Sequence, residues 1–265
     1  MSRPSIIRFP DGIAAVDAEY MRPNMAAVHF IVDQGRVAIV DTGTNYSTPH
    51  VLEALRELGH APDDVDAVIL THVHLDHAGG AGSLMRELPR AQLWVHPRGA
   101  QHMIDPAKLI AGSKVVYGDA LYESLYGDLI PVPASRVRTF EDGETAQLGG
   151  RTLEFLHTPG HALHHQSIHD TKARVVFTGD TFGLSYRELD TERGPFVVPT
   201  TTPTQFDPDQ LRQSVARIAA LQPQAVCMTH FTRVEHVPRL AADLDLQIRA
   251  FVDIAQRHRG ASDAE

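Results

Sequence analysis

Apolar and polar positions along the chain alternate between two textures. Period-two or continuous apolar runs predict strands over 6–9, 13–16, 26–32 and 36–40, the last two joined as a hairpin by Asp33-Gln34-Gly35. Val51, Leu52, Leu55 and Leu58 then recur at helical spacing and predict a helix over 48–58 that stops at Gly59. A strand over 66–70, a helix over 80–88 and a strand over 92–95 follow. Further on the succession returns, with strands over 136–140, 145–148, 151–156, 166–169 and 174–177 and turns at Asp142-Gly143 and Gly149-Gly150. A helix over 207–221, a strand over 225–228 and a helix over 238–257 complete it, and the tail 260–265 is expected to fray. Strands then helices, twice over, suit an α/β fold in which two sheets pack face to face with helices outside, as a single domain over 1–265.

Residues 97–133 interrupt this order. Met103, Ile104, Leu109, Ile110, Val115, Val116, Leu121 and Leu125, with Tyr117, Tyr122 and Tyr126, are broken at Pro106, Gly112, Gly118 and Gly127. The pattern predicts two or three short helices inserted between strands, serving either as a substrate-covering lid or as ordinary core packing.

Several predicted strands end in polar clusters. The densest is Thr71-His72-Val73-His74-Leu75-Asp76-His77-Ala78-Gly79-Gly80. In extended backbone His72 and His74 point the same way and can grip one ion. If Asp76 and His77 begin a helical turn they project about 100° apart and can serve a second ion, with Gly79 and Gly80 adding backbone freedom for the reversal. Three imidazoles and a carboxylate packed together repel or stay unsatisfied without a cation, so the segment reads as a metal site rather than a histidine-rich surface turn.

Other clusters are Asp41-Thr42-Gly43-Thr44-Asn45, the stretch 157–165, Thr178-Gly179-Asp180-Thr181 and Thr229-His230-Phe231. Asp41 either orients a ligand or caps its turn, and one of His164 and His165 either supports a ligand or belongs to a plain polar turn. His96, at a strand end, faces the cleft or the core, and His29 is a satisfied strand histidine. His50, His60, His102, His169, His236 and His258 read as surface or capping residues. The Pro- and Thr-rich stretch 187–206 is a candidate for substrate specificity.

Composition narrows the classes. With 265 residues, 43% hydrophobic and 22% charged, the chain can bury a substantial core. A net charge of -9 offers no overall basic surface, which disfavours a nucleic-acid partner. The single cysteine, Cys227, lies in an apolar run and is expected to be a buried, inert thiol, so neither a disulfide nor a cysteine zinc cluster is expected. The N-terminal residues lack the apolar core of a signal peptide and no run reaches membrane-spanning length, so the expectation is a cytoplasmic protein without a membrane partner.

Taken in order, His72-x-His74-x-Asp76-His77, Thr158-Pro159-Gly160-His161, Phe177-Thr178-Gly179-Asp180 and His230 after a strand resemble the metallo-β-lactamase fold superfamily over nearly the whole chain. The resemblance implies a four-layer αββα sandwich with a dinuclear metal centre. One ion would take His72, His74 and His161, the other Asp76, His77 and His230, with Asp180 bridging. The cofactors are then two divalent metal ions, zinc first, with iron or manganese as alternatives. Two ligand carboxylates and a bridging hydroxide against two dications leave a net charge of about +1, favouring an anionic or carbonyl-bearing small-molecule substrate.

The implied activity is hydrolysis of an ester, thioester, lactone or phosphodiester by a metal-bridging hydroxide, with Asp76 or a bound water returning the proton. Tyr186, six residues beyond Asp180, is a candidate donor to the substrate oxygen, with core or lid packing as the alternative. Stand-alone diiron members of the superfamily supply the other reading, an oxygen-binding or redox role. Flavodiiron reductases usually carry Glu where His74 stands, together with a flavin domain, so hydrolysis ranks first.

Overall fold

The computed structural model describes residues 4–201 and 204–259; the tail 260–265 lies outside the described residues. Among the described residues the first half of the chain builds a seven-stranded sheet in sequential order. Its strands are β1 (Ile6–Arg8), β2 (Ile13–Asp17), β3 (Ala27–Asp33), β4 (Arg36–Val40), β5 (Val65–Ile69), β6 (Gln92–Val95) and β7 (Val137–Thr139). Pairing is antiparallel from β1 to β4 and parallel from β4 to β7. Each parallel step needs a crossover. These are α1 (Thr48–Glu57), then α2 (Leu75–Ala78) with α3 (Ala81–Glu87), then α4 (Pro97–Ile104), α5 (Ala107–Tyr117) and α6 (Asp119–Tyr126).

A six-stranded sheet follows from β8 (Thr145–Leu148), β9 (Arg151–His157), β10 (Gln166–Asp170), β11 (Val175–Gly179), β12 (Ala225–Met228) and β13 (Thr232–Val234), in reversed order β13 to β8. Helices α7 (Pro208–Ala220) and α8 (Val237–Arg257) belong to this half. No helix among the described residues is long and apolar enough to cross a membrane.

The near-continuous apolar strands are explained by what their alternate residues touch. In β4, Val37 and Ile39 join a core with Val51, Leu55 and Leu84 of the helices, while Ala38 and Val40 face the other sheet. In β12, Ala225 and Cys227 face inward and Val226 and Met228 meet Val215, Ile218, Leu240 and Leu244 of α7 and α8. Both faces of each sheet are therefore buried, and the layers run helix, sheet, sheet, helix. Trp94 stands in the central layer with its ring 5.3 Å from Phe140 and 5.9 Å from Phe155. Cys227 is buried there and burial pushes its thiol up to about 12, as expected of an inert residue.

Most differences from the expected strands are boundary shifts of one or two residues. β13 is the element not anticipated: three residues centred on Arg233, pairing antiparallel with β12, are too short to show a period. The segment 97–133 contains three helices, α4 to α6. α5 is unusual, being rich in apolar residues and yet having none buried.

Candidate metal centre

The site grows from one edge, where β4, β5, β9, β11 and β12 all end, as ligand loops do in α/β sheets. Past β5 the chain stays extended through His74, which is the N-cap of α2 at φ -66 and ψ 150, and then turns helical with Asp76 and His77 in the single turn. Gly79 and Gly80 have ordinary helical angles, φ -60 and -84. The expected need for backbone freedom is thus corrected: a Cβ on Gly80 would stand 2.7 Å from the Thr44 carbonyl oxygen, so closeness to a neighbouring loop demands glycine there.

His72, His74, Asp76, His77, His161, Asp180 and His230 are brought together in overlapping groups whose ligating atoms lie within 4.8 Å of one another. His74 Nδ1 is 2.9 Å from His72 Nε2 and 3.1 Å from His161 Nε2. His230 Nε2 is 3.3 Å, and His77 Nε2 3.7 Å, from one Asp76 oxygen. Asp180 lies between these two groups, with one oxygen 3.3 Å from His161 Nε2 and the other 3.2 Å from His77 Nε2 and 3.6 Å from His230 Nε2.

The outward hydrogen bonds decide what the inward atoms offer. His77 Nδ1 donates to Asp41 Oδ2 (2.8 Å) and His230 Nδ1 to the Met25 carbonyl (2.6 Å). His161 Nδ1 faces the Thr200 carbonyl at 3.4 Å and His72 Nδ1 the Thr71 hydroxyl at 3.2 Å. With those nitrogens protonated, each Nε2 presents a lone pair to the centre. Lone pairs and carboxylate oxygens aimed at common points repel unless a cation joins them. Four ligands at about 2.0–2.1 Å around a tetrahedral ion stand about 3.3 Å apart, close to the spacing seen. His77 Nε2 and Asp180 Oδ1 are buried without a hydrogen-bond partner among the described residues, as fits atoms reserved for an ion. The donor set therefore fits divalent metal ions.

Electrostatics point the same way. Burial alone would raise the carboxyl of Asp180, but His77, His230 and His161 hold it well below the usual range. Burial opposes charge on His77 too, yet Asp180, Asp76 and Asp41 raise it well above 6.5. The centre thus favours positive charge placed among fixed anions.

Supporting residues sort the open alternatives. Asp41 orients His77, and it accepts from Thr71 N (2.8 Å) and from the hydroxyls of Thr71 (2.9 Å) and Thr229 (2.7 Å). His165 Nε2 accepts the Asp180 backbone N–H at 3.1 Å, so its Nδ1 carries the proton that faces Thr158 and Thr181. His164 stands at the cavity wall and its Nδ1 accepts from Val73 N at 3.4 Å. Thr200, in the long loop, donates to the Asp180 carbonyl at 2.8 Å, so part of that stretch positions ligands. His29 is satisfied by Thr232 at 3.1 Å. His96 caps α4 by accepting from Arg98 N at 3.0 Å and lines a smaller cavity with His157.

Tyr186 is half-buried beside His230, ring centroids 6.4 Å apart, with the Arg22 guanidinium 4.5 Å above its ring. A cavity of about 590 Å³ opens on the centre, with His74, Asp76, His161 and Asp180 on one wall. His102 lines it, which corrects the surface or capping reading: α4 turns that residue toward His164, ring centroids 6.4 Å apart. Tyr126 also lines it and shares a 2.9 Å hydroxyl contact with Tyr20. Sequence reasoning missed this pair, because the partners are far apart in the chain and each reads as an ordinary core aromatic.

Comparison with known proteins agrees with the geometry. Residues 21–230 match the metallo-beta-lactamase superfamily. The metallo-beta-lactamase fold-containing protein ST1585 of Sulfurisphaera tokodaii is 27% identical over 242 residues, covering 88% of this chain and 84% of that protein. A crystal structure of ST1585 from Sulfolobus tokodaii matches at a TM-score of 0.72 and 26% identity, over 89% of this chain and 85% of that one. The human acyl-coenzyme A thioesterase MBLAC2 is 27% identical over 191 residues, spanning 64% of this chain and 63% of its own. The family implies divalent metal ions, commonly zinc, and its relatives here include, besides that thioesterase, a protein of Synechococcus sp. named hydroxyacylglutathione hydrolase. The ordered strand-end motifs, the αββα layers and the match across most of the length place this chain in the metallo-beta-lactamase superfamily.

Proposed function

We propose that this protein is a dinuclear metal-dependent hydrolase acting on a carbonyl ester or thioester. The observation that carries the reading is the convergence of five imidazoles and two carboxylates, of which His74, Asp76, His161 and Asp180 line a cavity large enough for a small molecule. His72, His74 and His161 would hold one ion and Asp76, His77 and His230 the other, with an oxygen of Asp180 directed to each. Bound there, divalent ions lower the pKa of water from 15.7 to about 7 and polarise a substrate oxygen.

The chain's own residues do the rest. Asp41 keeps His77 in the tautomer that presents Nε2, and His165 holds the backbone of Asp180. Asp76 is partly exposed, lines the cavity and is kept ionised by His77 and His230 against the effect of burial. As a carboxylate at the cavity wall, Asp76 would take up the proton released by the attacking water and pass it to the leaving group. The thioesterase relative favours a carbonyl substrate over a phosphodiester.

Elemental analysis with assays on a panel of thioesters, esters and lactones tests the reading. Asp180→Ala and His161→Ala are expected to lose metal and hydrolysis together. A variant that keeps both removes its residue from the ligand set, and full metal occupancy with inertness across the panel refutes hydrolysis.

A further inference from the structure

α5 has the composition of a core helix and the exposure of a surface one. Leu109, Ile110, Val115, Val116 and Tyr117 are among its residues, none of them is buried, and Val116 is 73% exposed. A lone helix of this length is marginal in water, and exposed apolar faces commonly mark binding surfaces. The face turned to the metal centre is specific. Lys108, Gly112 and Val116 form one i, i+4, i+8 row and Leu109, Ser113 and Tyr117 the next, and all six line the cavity.

We propose that this face holds a medium-length aliphatic acyl chain, so that the substrate is an acyl ester or thioester whose chain lies under α5 with its carbonyl at the metal ligands. The inference rests on the hydrolase reading for the position of the carbonyl.

Three features set the chain's place. Gly112 and Ser113 leave the middle of this cavity-lining face free of large side chains, a gap between Leu109 and the pair Val116 and Tyr117 that serves as a slot. From residue 109 to 117 the helix rises about 12 Å, the reach of an extended chain of about ten carbons. Lys108 has no ion-pair partner among the described residues, whereas Lys114 is taken by Asp119 at 2.9 Å. In a protein of net charge -9, Lys108 gives the cavity mouth the positive charge that an anionic leaving group would meet.

The slot supplies its own test. A Cβ built on Gly112 meets nothing within 4 Å and Gly112 is not among the positive-φ glycines, so Gly112→Leu fits the helix and fills the slot. Acetate, butanoate, hexanoate, octanoate and decanoate are titrated calorimetrically into the metal-loaded protein, and the matching acyl thioesters are assayed in parallel. Dissociation constants are expected to fall about threefold to tenfold for every two methylenes up to octanoate, a partly open site securing less than full burial. Gly112→Leu, with an unfolding midpoint no lower than the parent's, is expected to erase the gain beyond butanoate. Equal affinity for acetate and octanoate, or undiminished octanoate binding by Gly112→Leu, overturns the proposal. Chain-dependent binding without any hydrolysis supports the acyl site and refutes the hydrolase reading. Hydrolysis indifferent to chain length does the reverse.

Discussion

Replacing Asp41 by Asn changes one atom in a fully buried side chain that touches no ion, and it tests how the centre is held. One carboxylate oxygen accepts from His77 Nδ1 at 2.8 Å and from the Thr229 hydroxyl at 2.7 Å, while Thr71 N lies 2.8 Å from the other. An amide keeps the Thr71 N contact and turns the other oxygen into a donor facing His77 Nδ1–H. To escape that clash His77 must move its proton to Nε2, the nitrogen the centre needs bare. Loss of the charge-assisted bond costs about 1.5–3 kcal/mol and of the hydroxyl bond about 1 kcal/mol, so the metal-free fold is expected to lose about 2.5–4 kcal/mol. Metal affinity is expected to fall about 10- to 100-fold, or about 1.4–2.8 kcal/mol. Competition with a graded series of chelators reads the affinity, and thermal unfolding with and without chelator separates the two losses. Thr229→Val, which removes the hydroxyl bond alone, should cost about 1 kcal/mol in stability with little change in affinity. An Asp41→Asn protein that binds the same number of ions at parental affinity would refute the orienting role.

Other outcomes follow from particular contacts. Burial lowers His29 from 6.5 to about 4, so the unfolded chain takes up a proton at a pH where the fold refuses it. Stability should therefore fall as pH drops from about 6.5 to about 4, by about 3 kcal/mol from this residue, and His29→Gln should flatten that slope in urea titrations of the chelated protein. Gly82→Ala should destabilise by about 1–3 kcal/mol although alanine is the better helix former, because the added Cβ would strike the Ile130 carbonyl. Gly112→Ala, with open space around it, should instead raise the unfolding midpoint through a helix gain of about 0.5–1 kcal/mol. If Asp180 is a metal ligand, exhaustive chelation should lower the unfolding midpoint of the parent far more than that of Asp180→Ala.

Much of the αββα order could be read from the chain because both sheet faces are covered, which turns whole strands into apolar runs and makes the polar residues at their ends conspicuous. His72, His74, Asp76 and His77 also declare their geometry locally, since extended backbone passing into one helical turn sets their directions. Other features were silent for physical reasons. β13 is too short to carry a period, and its place depends on pairing with β12. Whether His102 meets solvent or cavity depends on how α4 lies over the site, and the Tyr20–Tyr126 contact joins residues 106 positions apart. Asp41 was ambiguous until its neighbours were in place, because a turn cap and a histidine anchor look alike in one dimension.

The seven-stranded sheet ends at Thr139 and the six-stranded one begins at Thr145, so each is a continuous half of the chain joined by a short turn. His72, His74, Asp76 and His77 come from the first half, and His161, Asp180 and His230 from the second. Neither half can complete either candidate donor group, and the Thr229 bond to Asp41 stitches the halves beside the centre. Ion binding there would thus also report on docking. During synthesis the first four candidate donors have all emerged 84 residues before His161, so an ion held by them alone would wait, loosely bound, for the second sheet to close over it.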